Sequence, residues 1–97
     1  MIEGKRFSVS GRVQRVGYRA FVLHAARNLG IAGTVWNSVS GTVECEAYGK
    51  PEALSRLEQL LNEGPALAHV ESVTVMDIVV ADDASIPDEM KVGHDGL

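Results

Sequence analysis

Ninety-seven residues, 45% of them hydrophobic, suffice for one compact domain with a modest core and are too few for a multidomain machine. A formal net charge of -4 argues against a nucleic-acid coat, because such binding is driven by basic residues displacing counterions from phosphates. One cysteine, Cys45, excludes an internal disulfide, and no apolar run approaches the roughly 20 residues of a membrane-spanning helix.

Arg6 to Val13 alternates, with Phe7, Val9, Gly11 and Val13 on one face and Arg6, Ser8, Ser10 and Arg12 on the other, which predicts a half-buried strand. From Tyr18 to Leu29 the apolar residues Tyr18, Val22, Ala25, Ala26 and Leu29 fall at helical spacing, and Gly30 is a suitable stop. Ala32 to Val39 and Thr42 to Tyr48 read as a hairpin through the short loop Ser38-Val39-Ser40-Gly41, with Val43, Cys45 and Ala47 inward and Glu44, Glu46 and Tyr48 outward. Lys50-Pro51-Glu52 opens a second helix, which carries Leu54, Leu57 and Leu61 on one stripe until Gly64-Pro65 ends it. Val70 to Val80 is a fourth strand of mixed parity. The domain is expected over residues 1–81, followed by an acidic tail over 82–97 in which Ile86, Met90 and Val92 have the makings of a short edge strand.

The order strand, helix, strand, strand, helix, strand predicts an α+β, ferredoxin-like βαββαβ sandwich, an antiparallel sheet with two helices on one face. In that topology the first and second strands run parallel with the third between them. The loop after Val13 and the end of the second strand therefore meet at one edge. Asn37, at that end, shares its parity with Gly33 and Val35, and a polar amide on the inward face needs a reason.

Five of the nine basic residues, Lys5, Arg6, Arg12, Arg15 and Arg19, fall in the first nineteen positions, whereas the stretch from Asp77 onward carries six acids against Lys91 alone. One end of the molecule is thus suited to attract a small anion. The turn Gln14-Arg15-Val16-Gly17-Tyr18-Arg19 links a strand to a helix whose first N–H groups have no intrahelical partner. Gly17 permits positive φ or close approach of a ligand, and the planar fork of Arg19 suits phosphate oxygens. Singly, Arg19 reads as a capping or solvated residue and Asn37 as a turn residue bonded to its own backbone. No Gly-Lys-Ser/Thr closes the turn, so it is no Walker loop.

The run Val9-Ser10-Gly11-Arg12-Val13-Gln14-Arg15-Val16-Gly17-Tyr18-Arg19 resembles the first signature of the acylphosphatases, and Gly33-Thr34-Val35-Trp36-Asn37 with Gly41, Val43 and Gly49 resembles the second. The resemblance extends through Gly64-Pro65, Ala68 and Val70, covering Arg6 to about Val80. It implies a hydrolase that cleaves carboxyl-phosphate anhydrides to carboxylate and inorganic phosphate without metal or cofactor. It implies further that Arg19 and the backbone amides of Arg15, Val16, Gly17, Tyr18 and Arg19 hold the phosphoryl group, and that Asn37 places the attacking water. Arg15 stands where the family usually has Gly, Thr34 where an aromatic is usual, Trp36 where a small, basic or amide side chain is common, and Ser40 where Asp often precedes the hairpin Gly. Arg15 either stiffens the loop or adds a second cation; Trp36, outward beside Asn37, is expected to bear on access to the site.

Two other functions share this fold: a non-catalytic phosphate-ligand or regulatory binding module, and a carbamoyl-phosphate-handling domain of the kind found at the front of larger hydrogenase-maturation proteins. RNA readout would need stacking aromatics on the open sheet face, where Glu44 and Glu46 stand instead. A chain with no further domains favours a free-standing enzyme. His24, His69 and His94 read as solvated and Cys45 as a small core residue, so no metal site is expected. The expected partners are a small-molecule acyl phosphate and inorganic phosphate, without nucleic acid or membrane. Since Met1 to Phe7 is too polar for a signal peptide, a cytoplasmic monomer is expected.

Overall fold

A computed structural model describes residues 1–80 and 86–93. Its elements follow the order β1 (Glu3–Arg12), α1 (Tyr18–Asn28), β2 (Ala32–Asn37), β3 (Val43–Gly49), α2 (Pro51–Glu63), β4 (His69–Ile78) and β5 (Met90–Val92). The sheet order is β4-β1-β3-β2-β5. β3 is antiparallel to both β1 and β2, so those two run parallel with β3 between them, as the element order requires. β5 adds a parallel pair on β2, with Gly33, Thr34 and Val35 opposite Met90, Lys91 and Val92.

Alternation along the strands sends Phe7, Val9, Val35, Val43, Cys45 and Ala47 to one side, where Val22 and Ala26 of α1 and Leu54, Leu57 and Leu61 of α2 close over them. Each fully buried leucine or phenylalanine contributes about 1.5–3 kcal/mol relative to exposure. Cys45 is 0% exposed, and burial pushes its thiol up to about 12, so it is packing material rather than a nucleophile. Two glycines in the strands are obligatory. Gly11, at the β1 bulge, has φ 121° and a Cβ there would stand 2.2 Å from the His69 carbonyl; Gly33 has φ 141° and would meet the Glu46 carbonyl at 1.8 Å.

The mixed parity of β4 has a physical cause. It is an edge strand that α2 covers only in part, so that Val73 is half-buried while Val75 and Met76 are exposed. The short edge strand expected from the tail exists: Met90 is fully buried in the core, while Arg27 of α1 donates to the Met90 carbonyl and pairs with Glu89. Residues 81–85 and 94–97, with the acidic Asp82 and Asp83 and with His94, lie outside the described residues. His24 and His69 are both exposed.

The outer face of the sheet carries a polar cluster. Glu44 is only 8% exposed and accepts hydrogen bonds from Ser8 Oγ at 2.6 Å, Thr42 Oγ1 at 2.6 Å and the Arg6 guanidinium at 3.2 Å. Burial pushes its carboxyl up, but these three donors together outweigh that cost and hold it below the ordinary carboxylate value. Arg6 also lies over the Trp36 ring, 5.1 Å from its centroid. The expectation that Trp36 bears on access to the site is therefore overturned. Neighbouring residues of a strand point to opposite faces, so Trp36 is buried on the side away from Asn37.

Candidate active site

The chain leaves β1 at Arg12 and re-enters regular structure at Tyr18, and the intervening turn is built on two left-handed residues. Arg15 has φ 63° and Gly17 has φ 80°. For Arg15, a residue with a Cβ, that conformation costs about 1–2 kcal/mol, and strain of this kind persists where the surroundings impose it. Gly17 is the N-cap of α1, contributes no side-chain cap, and is followed by a first turn without an acidic residue. At α2, by contrast, Pro51 removes one N–H and Glu52 supplies a carboxylate to the first turn. Neither helix has a side-chain cap, but α1 presents its first N–H groups at the positive end of its dipole with no acidic side chain beside them, whereas α2 has Pro51 and Glu52 there.

A cleft of about 310 Å³ opens at this turn. Arg15, Gly17, Arg19 and Asn37 form its polar part, and Val13 and Tyr18 line it further in. Five of the six residues named for the site from sequence, Arg15, Gly17, Tyr18, Arg19 and Asn37, therefore line one cavity. Val16 lies elsewhere: its side chain packs against the core, which leaves only its N–H for a ligand. Tyr18 is 1% exposed, and its hydroxyl donates to the Leu61 carbonyl at 2.5 Å. Burial, with a smaller contribution from Cys45, raises its phenol well above the ordinary value, so it stays protonated and anchors the start of α1 to α2.

Of the five cations clustered near the N-terminus, only Arg15 and Arg19 reach the cleft. Lys5 is paired with Asp77 across β1 and β4, and Arg6 is held by Glu44 and Glu46 on the outer face. Asn37 closes β2 at the same end. It is 6% exposed, yet its Oδ1 has no hydrogen-bond partner among the described residues. A buried acceptor left in that state costs about 1–3 kcal/mol unless a water or ligand meets it.

One residue that the sequence did not single out fixes the geometry. Gln14 Nε2 donates to the carbonyls of Ser38 at 2.8 Å and Thr42 at 2.9 Å, which ties the turn after β1 to the β2–β3 hairpin beside Asn37. No sequence spacing announces such a bond, since its acceptors are backbone groups brought close by topology. Gln14→Ala should cost about 1–3 kcal/mol of stability in a denaturant melt through the loss of two hydrogen bonds, although the Ser38 and Thr42 carbonyls keep the Gly41 and Ser38 N–H donors, and should lower kcat more than it raises KM. Gln14→Glu, which has the length but not the donors, should be no better. A Gln14→Ala protein as stable and active as the wild type would remove this clamp from the framework.

Fold and cleft together define a ferredoxin-like α+β domain with a cleft lined by Arg15, Gly17 and Arg19 at the turn after its first strand. The family model described as Acylphosphatase matches residues 5–85. An acylphosphatase of Halorhodospira halophila is 44% identical over 91 residues, covering 94% of this chain and 95% of that one. The crystal structure of the Bacillus subtilis acylphosphatase superposes with a TM-score of 0.87 at 29% identity, covering 96% of this chain and 99% of that one. The structure of an acylphosphatase from Coxiella burnetii does so with a TM-score of 0.85 at 34% identity, over 95% of this chain and 93% of that one. The chain belongs to the acylphosphatase family.

Proposed function

We propose that, in the acylphosphatase reaction this chain catalyses, Arg19 and the N–H groups of residues 15–19 hold the phosphoryl group while the Asn37 amide orients the attacking water. Arg15 adds a second positive charge at the mouth. A carboxyl-phosphate anhydride is hydrolysed. The water oxygen bonds to phosphorus, the bond from phosphorus to the acyl oxygen breaks, and the carboxylate leaves with the electron pair. The water proton passes to a phosphoryl oxygen of the substrate, so the second product is dihydrogen phosphate.

A carboxylate is a good leaving group, so catalysis consists of placing the water and stabilising charge on the equatorial oxygens of a loose transition state. No strong base is needed, and the described lining of the cleft contains neither carboxylate nor imidazole. The same lining offers no ligand set for a divalent cation, which supports metal-independent turnover. The observation that carries the reading is the buried Asn37 amide with its unengaged Oδ1, an acceptor ready for a water proton in the same cleft as Arg19.

The reading extends to a cytoplasmic monomer that acts on small molecules, with a family-like unit over residues 1–81 and a tail over 82–97. Among the described residues no helix is long and apolar enough to cross a membrane. On the outer face of the sheet Glu44 and Trp36 are both buried, which is unfavourable for stacking and phosphate contact with RNA.

Hydrolysis of benzoyl phosphate, followed with and without chelator, tests the proposal. Turnover should survive chelation, and inorganic phosphate should inhibit competitively at constant ionic strength. No turnover of benzoyl, acetyl or carbamoyl phosphate would leave a binding module; turnover lost to chelator would require a metal.

A further inference from the structure

The phosphate end of the cleft leaves part of its wall unexplained. Beyond Arg19 and Asn37 it is completed by Ala20 and Leu23 of α1 and Val92 of β5, all apolar. Leu23 follows Arg19 by one helical turn, so both occupy one face of α1. Val92 stands in register with Val35, two residues before Asn37, on the side of the sheet that faces the helices. Val35 there is 0% exposed, whereas Val92 is 46% exposed. A valine on the inner face of a sheet is expected to be covered. This one opens on the cleft instead.

Val92 is also firmly placed. Gly93 N donates to the Val35 carbonyl at 2.8 Å, Gly33 N to the Glu89 carbonyl at 3.3 Å, and the Arg27 guanidinium to the Met90 carbonyl at 3.2 Å. With Met90 sunk in the core, these bonds seat β5 beside α1.

We infer that Ala20, Leu23 and Val92 form an acyl-group subsite, and that the enzyme prefers acyl phosphates whose acyl group is apolar, aromatic or branched aliphatic. The inference rests on the phosphohydrolase reading above. In-line attack fixes only the bridging oxygen opposite the water. Beyond that oxygen the bend of the P–O–C linkage and rotation about the C–O bond swing the acyl group sideways, onto the wall beside the phosphate. At about 310 Å³ the cleft lies at the small end of the roughly 300–1,000 Å³ range of ligand pockets, so phosphate and one compact acyl group fill it. A carbamoyl group gains little there, because its amide needs hydrogen-bond partners that these three side chains do not have.

The test is the ratio of kcat/KM for benzoyl over acetyl phosphate in the wild type, Val92→Ser, Leu23→Ser and Val92→Ile, with the inhibition constant of inorganic phosphate as control on the phosphate end. One methylene in an apolar pocket is worth roughly 10–200-fold, and a half-open wall falls at the lower end of that range. Each serine variant should therefore lower the benzoyl-to-acetyl ratio by about tenfold, with phosphate inhibition little changed, and Val92→Ile should keep or raise it. Carbamoyl phosphate should rank with acetyl phosphate or below it. An unchanged ratio, or equal loss on both substrates, overturns the subsite while the hydrolase reading stands. Failure of the wild type to hydrolyse any of the three overturns both.

Discussion

Replacing Arg19 by alanine is expected to lower kcat/KM by on the order of a thousandfold and to weaken the binding of inorganic phosphate. Arg19 stands in the first turn of α1, where N–H groups without a side-chain cap favour an anion, and a planar fork is suited to meet two phosphoryl oxygens at once. As charge accumulates on those oxygens in the transition state, the contact strengthens, so the loss appears in kcat as well as in affinity. Lysine should rescue poorly, because it restores the charge without the fork. The measurements are steady-state kinetics on benzoyl phosphate and a phosphate titration of the folded variant. Retention of most activity in Arg19→Ala would remove this residue from the mechanism.

Asn37→Ala should give a different signature: loss of most of kcat with a dissociation constant for phosphate close to that of the wild type. β3 lies between β1 and β2, which puts about 10 Å of backbone separation between the phosphate turn and the end of β2. That spacing admits a phosphoryl group and a water. Stability should hardly fall, because the Asn37 Oδ1 holds no partner that the substitution would strand. A denaturant melt showing a loss of about 1–3 kcal/mol with kcat preserved would make the amide structural. A large loss of phosphate affinity would instead move it into the binding group.

Much of this site was legible because strand parity and topology are local statements with global consequences. Alternation along β2 put Asn37 on the inner face, and the element order brought its strand end beside the turn of Arg15, Gly17 and Arg19. The outward parity of Trp36 was legible too, but not its effect: the same alternation that lifts it off the core carries it away from the cleft. Charge counting misled for a related reason. Lys5 and Arg6 sit on strands whose neighbours supply Asp77, Glu44 and Glu46, partners visible only once the strands are in register. The Gln14 clamp stayed hidden because a side-chain bond to distant carbonyls leaves no periodicity to read, and Val92, though read as part of a short edge strand, carried no sign of its place at the cleft.

The parallel attachment of β5 makes the two halves of the cleft unequal in resistance to local opening. The phosphate turn is rooted between β1 and α1, and the Gln14 clamp joins it to the β2–β3 hairpin. The Val92 side of the proposed acyl wall, opposite Ala20 and Leu23 of α1, rests on three residues at the margin of the sheet, paired on one side only. Protection of an amide against exchange follows the free energy of the smallest opening that frees it, and that opening is smallest at short marginal strands. Release of β5 widens the cleft at Val92 and leaves Arg19 and Asn37 on their own elements. The proposed grip on phosphate therefore depends on the longer elements of the frame, and the proposed choice of acyl group depends in part on its three-residue edge strand.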